Sequence, residues 1–261
     1  MNPSLCSQIP ELSVILYSNA NKNGLTIKLV YALHGIQNEL DITHTGIILH
    51  KSAAELLQMA ETGAFKNLQP QHFDLFKEGL VYTDDVVRPY VLQSRMPIVY
   101  FRPLDAEVRD FPGEMYLRTP RTATAQAFQW EDLVGKLYEQ NWFNLLWSMY
   151  KIRYSNSTQY TFCSKLVAEV CVRAGLVKVD WTRISPERLC STDPSNDILI
   201  ATHHKVLVLK SSSPLIFQGT PNNSKVADEV QYHARFSIES ENASEVPIEL
   251  GLNSNISQLF Q

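Results

Sequence analysis

The segment Phe162 to Ala174, FCSKLVAEVCVRA, constrains the fold more than any other part of this sequence. It predicts a helix closed by Gly175, a residue suited to the left-handed turn that ends helices. Cys163, Val167, Val170 and Cys171 recur at helical spacing and so share one face. That face is the one to bury. A thiol in the first turn therefore points inward, towards whatever layer the helix packs on.

Short apolar runs supply such a layer. Leu12 to Tyr17 (LSVILY) and Ile42 to Leu49 (ITHTGIIL) read as strands, the second rich in β-branched residues. Val81 to Arg88 and Ile98 to Arg102 read as two more, with Pro89, Pro97 and Pro103 at their edges. Thr26 to Leu33 reads as a short helix after the turn at 21–24. Ala123 to Met149 reads as mostly helical, broken near Gly135 to Asn141. KVLVL, ending at Leu209, is a late strand. Two readings compete for the stretch from Ser52 to Glu61. Propensity favours a helix, whereas Leu57, Met59 and Glu61 would share one face of a strand. The fold class expected is α+β, an antiparallel sheet or small barrel packed against the cysteine-bearing helix. The domain is expected to span 1–209. A Ser- and Asn-rich tail, 210–261, is expected to be flexible or loosely docked.

The placement of Cys163 has a chemical consequence. A helix N-terminus favours negative charge and leaves backbone N–H groups without intrahelical partners. Both help a thiolate, the nucleophilic form of cysteine, and an oxyanion formed during acyl transfer. Free helical cysteines are ordinarily core filler. Cys171, Cys6 and Cys190 are read that way, and Cys163 is set apart by its partners elsewhere. On the strand 42–49, alternation puts Ile42, His44, Gly46 and Ile48 on one face. Gly46 leaves room beside His44. A histidine on a strand that faces a helix N-terminus is a suitable base for a thiol. Glu61 is the best candidate for the third group that holds the ring. His50, His72, His203, His204 and Glu55 have weaker claims.

Thr43-His44-Thr45-Gly46-Ile47 followed much later by Phe162-Cys163-Ser164-Lys165-Leu166-Val167 resembles the YiiX-like permuted papain-fold hydrolases. These are related to NlpC-type cysteine peptidases and to lecithin–retinol acyltransferase. Met59-Ala60-Glu61, Val87-Arg88-Pro89, Gly135-Lys136-Leu137-Tyr138 and Ile184 to Leu189 fit the family's further segments in order. The resemblance implies a circularly permuted papain-like fold and a Cys163–His44–Glu61 triad. It implies that Glu61 ends a strand. It also implies that Tyr138 lies near the oxyanion, and Ser164 is assigned with it to the oxyanion or substrate side. Lys165 stands where the family commonly has glutamate, at a position expected on the helix exterior.

The implied activity is a thiol hydrolase acting through an acyl-enzyme on a peptide or isopeptide amide or an acyl ester, with no metal or organic cofactor. An acyltransferase or lipid deacylase of the same fold remains open, as does a binding module that has lost catalysis. The substrate is then a protein, a peptide or an acyl lipid. The aromatic cluster Trp142, Phe143, Trp147 and Tyr150 reads as core packing before it reads as an acyl pocket.

With a net charge of −4, there is no electrostatic case for a nucleic-acid partner. No window is long and apolar enough for a membrane span. No Sec-type signal opens the chain. Four irregularly spaced cysteines suit neither a disulfide scaffold nor a zinc site. The expected location is cytoplasmic, or exported by a route without such a signal.

Overall fold

A computed structural model describes residues 8–18, 40–121, 127–139, 159–191 and 195–211. The expected helix at Thr26 to Leu33, the cluster from Trp142 to Tyr150, Cys6 and nearly all of the tail lie outside these residues.

Among the described residues, eight strands form one sheet. In chain order they are β1 (Val14–Ser18), β2 (Ile42–Lys51), β3 (Arg88–Arg95), β4 (Ile98–Pro103), β5 (Glu114–Arg118), β6 (Leu137–Tyr138), β7 (Tyr160–Thr161) and β8 (Leu207–Lys210). Their order across the sheet is β7-β6-β4-β3-β2-β1-β5-β8. All neighbours are antiparallel except the short β6–β7 pair. Among the same residues four α-helices accompany the sheet: α1 (Ala53–Glu61), α2 (Phe73–Leu80), α3 (Leu104–Asp110) and α4 (Cys163–Arg173). The protein is thus α+β with a mostly antiparallel sheet.

Alternation along the central strands divides the core in two. Val14, Leu16, Ile47, Leu49, Tyr90 and Leu92 pack with Leu166, Val167, Val170 and Cys171 of α4. Ile15, Tyr17, Ile48 and Val91 turn the other way and pack with Leu104 and Val108 of α3. Both faces of β2 are therefore covered, which suits its apolar, β-branched composition. Val91 fills the space that Gly46 leaves open: a Cβ on Gly46 would come within 2.5 Å of Val91 Cγ1.

Several sequence expectations need correction. Residues 53–61 form a helix, not a strand ending at Glu61. The signal was in the sequence, since Ser52-Ala53-Ala54-Glu55 has capping-box spacing. The Ser52 hydroxyl accepts from the Glu55 N–H at 3.1 Å. Residues 81–87 are irregular, and the strand begins at Arg88. Residues 127–139 hold a single 3-10 turn, Glu131–Leu133, and then β6, so this part of the expected long helix is not helical. Gly135 lies there at φ +81, with Leu68 backbone atoms packed where a Cβ would sit. The helices α2 and α3 and the strand β5, of eight, seven and five residues, are too short for periodicity alone to single them out.

The helix α4 departs from simple amphipathicity. All residues from Cys163 to Cys171 are buried, Lys165 and Glu169 included. Lys165 is therefore not on the helix exterior. Its ammonium donates to the Tyr160 carbonyl at 3.1 Å and lies 5.2 Å from the Trp181 ring. Burial holds its pKa below the usual lysine range. Glu169 is paired with Lys136 at 3.3 Å and Arg173 at 2.5 Å. Buried charges persist when they are paired in this way.

Candidate active site

The site is built at a fork in the sheet. The β2–β3 ladder ends at Gly46 opposite Gln93. Beyond that point β2 continues against β1 as far as Ile42, while β3 continues against β4 as far as Arg95. His44 and Thr45 form one wall of the opening, and Ser94 and Arg95 form the other. The Ser94 hydroxyl donates to the Thr161 carbonyl at 3.2 Å, tying β7 to the fork immediately before α4 begins. This contact sets the N-terminus of α4 over the opening.

Cys163 is the first residue of α4. The N-cap position is Phe162, which has no side-chain oxygen to satisfy the helix N–H groups. The sulfur faces the backbone N–H groups of Thr45, Cys163 and Ser164. Burial pushes the thiol pKa up, and these N–H groups oppose that rise by favouring the thiolate. The resting sulfur is thus a neutral thiol set among groups suited to its anion. By contrast, Cys171 lies deep in the core, and burial alone pushes its pKa up to about 12.

His44 reaches the fork from the opposite side. Its ring lies 5.1 Å from the Tyr17 ring, on the face covered by α3. The expectation that His44 faces the cysteine-bearing helix is therefore corrected. The thiol stands with Thr45 on the α4 side, the imidazole stands on the α3 side, and no hydrogen bond joins them. A bulge contributes to this arrangement. Tyr17 pairs with His44 and the next residue, Ser18, pairs with Ile42, leaving Thr43 as an extra residue. Ile42 packs in the α4-side core, so it does not share a face with His44, Gly46 and Ile48.

The hydrogen-bond network fixes the tautomer of His44. Gln93 donates from Nε2 to the Glu107 carboxylate at 3.3 Å, which turns its Oε1 to His44 Nε2 at 3.2 Å. His44 Nε2 therefore carries the proton and donates to Gln93, leaving the Nδ1 lone pair as the ring's proton acceptor. Arg95 Nε, which can only donate, also points at Nε2 from 3.4 Å and competes for it, but the contact with Gln93 is the shorter and takes the ring proton. Burial, with the Arg95 charge next in importance, pulls the His44 pKa down to about 3. Glu107, buried on α3, holds the assembly together. It pairs with Arg95 at 2.5 Å and with Arg102 at 3.1 Å.

The third group at the histidine is thus Gln93, not Glu61. Glu61 is exposed at the C-terminal end of α1, with no hydrogen bond or ion pair to His44. Nothing in the sequence marked Gln93 except a glutamine continuing an otherwise apolar strand, Tyr90-Val91-Leu92. Tyr138 is brought near Cys163. Burial first and the neighbouring Cys163 second raise its phenol well above the usual tyrosine range, so it remains a neutral donor. The Ser164 side chain is turned away from the site, donating to the Ile184 carbonyl at 2.7 Å. Only its backbone N–H serves the sulfur. His50 is engaged with the Ile9 carbonyl at 2.8 Å, and His203 with that of Leu12 at 3.1 Å.

Among the described residues, no helix is long and apolar enough to cross a membrane, and no cluster of three or more His, Cys, Asp or Glu side chains could hold a metal ion. No family model matches the sequence, and comparison with curated proteins and with solved structures found no similar chain.

Proposed function

We propose that the protein is a thiol hydrolase of the permuted papain-like kind, with Cys163 as nucleophile and His44 as base. The observation that carries this reading is the fork. A thiol at a helix N-terminus faces three backbone N–H groups, and the other side of the same opening carries an imidazole whose Nδ1 is free to accept a proton. The S–H proton passes between the parted strands to Nδ1 through one bridging water, the ring staying on Gln93. The sulfur then attacks a carbonyl carbon. The N–H groups of Thr45, Cys163 and Ser164, with the Tyr138 hydroxyl, receive the oxyanion. Gln93 holds the ring in its base tautomer. As the oxyanion collapses, the C–N or C–O bond of the peptide or isopeptide amide or acyl ester breaks, and His44 gives its proton to the departing amine or alcohol, leaving the acyl group on sulfur. Water, losing a proton to His44, then releases it as the acid, or another acceptor takes it in an acyltransferase.

A second reading is favoured by one observation: the resting thiol is neutral and has no direct bond to His44. This suits a binding module that keeps the fold without the chemistry. Labelling with iodoacetamide near neutral pH, with sites located by mass spectrometry, separates the two. A catalytic Cys163 is expected to label well ahead of Cys171 and Cys190. His44→Ala should slow that labelling by about 100-fold, the lower end of what a positioned base contributes. If Cys163 labels no faster than the other two, the binding module is the better account.

Gln93→Leu offers a finer check. It removes the acceptor that fixes the tautomer and is expected to slow Cys163 labelling by about tenfold. In the His44→Ala background it should have no further effect, because both changes act through the same ring. Additive losses would show that Gln93 does not work through His44.

A further inference from the structure

Thr45 follows the proposed base and sits beside the proposed nucleophile, on the α4 side of β2. It is fully buried, and its hydroxyl closes no regular hydrogen bond: the one acceptor it is turned to is the Cys163 sulfur. Its neighbours on that face of the strand, Ile47 and Leu49, are core residues. Valine has the shape of threonine without the hydroxyl and suits a buried strand position better. An unpaired buried hydroxyl costs free energy. The fold nevertheless keeps one here, facing the Cys163 sulfur.

We propose that the Thr45 hydroxyl is a further catalytic group, the side-chain donor that stabilises the negative charge on Cys163 when the thiol ionises. The proposal rests on the reading of Cys163 as nucleophile. In the resting state the sulfur is a weak acceptor, so the hydroxyl gains only a weak contact there. On ionisation the S–H bond breaks, its electron pair stays on sulfur and its proton goes to His44 Nδ1. The Thr45 O–H then rotates to donate to the thiolate. It adds one charge-assisted hydrogen bond to those of the three N–H groups. The hydroxyl thus gains a full hydrogen bond in the reactive state, which lowers the cost of reaching that state. Thr45 serves the sulfur twice, through backbone and side chain, because the fork withholds this residue from the β2–β3 ladder.

The test is the pH profile of iodoacetamide labelling at Cys163, read by mass spectrometry in the full chain. Thr45→Val is expected to move the inflection up by about one pH unit, and so to slow labelling about tenfold below it. Thr45→Ser, which keeps the hydroxyl, should restore the wild-type profile. An unchanged inflection in Thr45→Val, or a Thr45→Ser profile that matches Thr45→Val, would overturn the proposal. Should Thr45→Val not fold, Thr45→Ala carries the same comparison. A wild-type Cys163 that reacts no faster than Cys171 would instead remove the nucleophile on which the proposal depends. The two failures are distinguishable, since only the second appears in the wild-type protein.

Discussion

Asp197→Ala is expected to destabilise the protein by about 3–5 kcal/mol, the cost of leaving a buried charge without its partner. Arg118 on β5 and Asp197 are both almost fully buried, and Arg118 Nη1 lies 2.8 and 2.9 Å from the two carboxylate oxygens. The same guanidinium donates to the carbonyls of Leu189 and His204 at 2.9 and 3.0 Å. Asp197 also accepts from the Leu199 N–H at 2.9 Å. Removing the carboxylate leaves Arg118 with carbonyl acceptors but no counter-charge. For a domain of this size the loss corresponds to a fall in Tm of about 10 °C, which differential scanning calorimetry would measure. The site would suffer as well. The segment that Arg118 holds leads back to Ile184, whose carbonyl anchors Ser164 beside the thiol. A variant that melts with the wild type would show that the pair contributes nothing net. Asp197→Asn keeps the shape and loses the charge, so it should fall between the two.

Acid should destabilise the fold well before ordinary carboxylates titrate. Burial is the main cause that pulls His44 down to about 3 and His203 down to about 4, from 6.5 in the unfolded chain. Both are neutral in the fold, and below pH 6.5 the unfolded chain binds protons that the fold does not. Their stabilisation is therefore complete above about pH 6.5 and is lost as the pH falls towards 3–4. At about pH 5 the two together account for about 4 kcal/mol. Arg95 beside His44, and Arg118 and His204 near His203, act in the same direction, while Asp197 opposes it at His203. Asp132, held below the usual carboxylate range by Arg173, adds to acid sensitivity at still lower pH. Urea melts at pH 7 and pH 5 would show the drop, and His203→Gln should remove its own share. Equal stability at the two pH values would mean that these histidines gain protons without leaving the fold.

What the sequence revealed was local. The helix 163–173, its glycine stop and the thiol in its first turn could be read directly, because capping and 3.6-residue periodicity are properties of neighbouring residues. The strand carrying His44 was equally plain. The face from which His44 meets the fork was not. Both faces of β2 are apolar and covered, so alternation defines two sides without saying which receives α4. The bulge at Thr43 depends on pairing with β1, which no single segment encodes. The third group was misassigned for a related reason. Glu61 was weighed as part of a strand, although the Ser52–Glu55 spacing marks a helix start. Gln93 owes its role to Glu107 on a later helix, a contact between residues 14 apart in the chain.

The sheet order also governs when Cys163 can be seated during synthesis. The interior strand β1 is made first among the described strands, but one of its neighbours, β5, arrives only after β2, β3, β4 and the helices α1, α2 and α3 have emerged. The His203 contact with Leu12 spans 191 residues. Contacts this distant form late and make folding slow. Cys163 emerges after both walls of the fork and cannot be seated until β7 and the start of α4 are available. A growing chain thus carries His44 and Thr45 well before Cys163 is made. Among the described elements only two 3-10 turns and β8 follow α4 in the chain, so the thiol meets the fork when most of the sheet is already made.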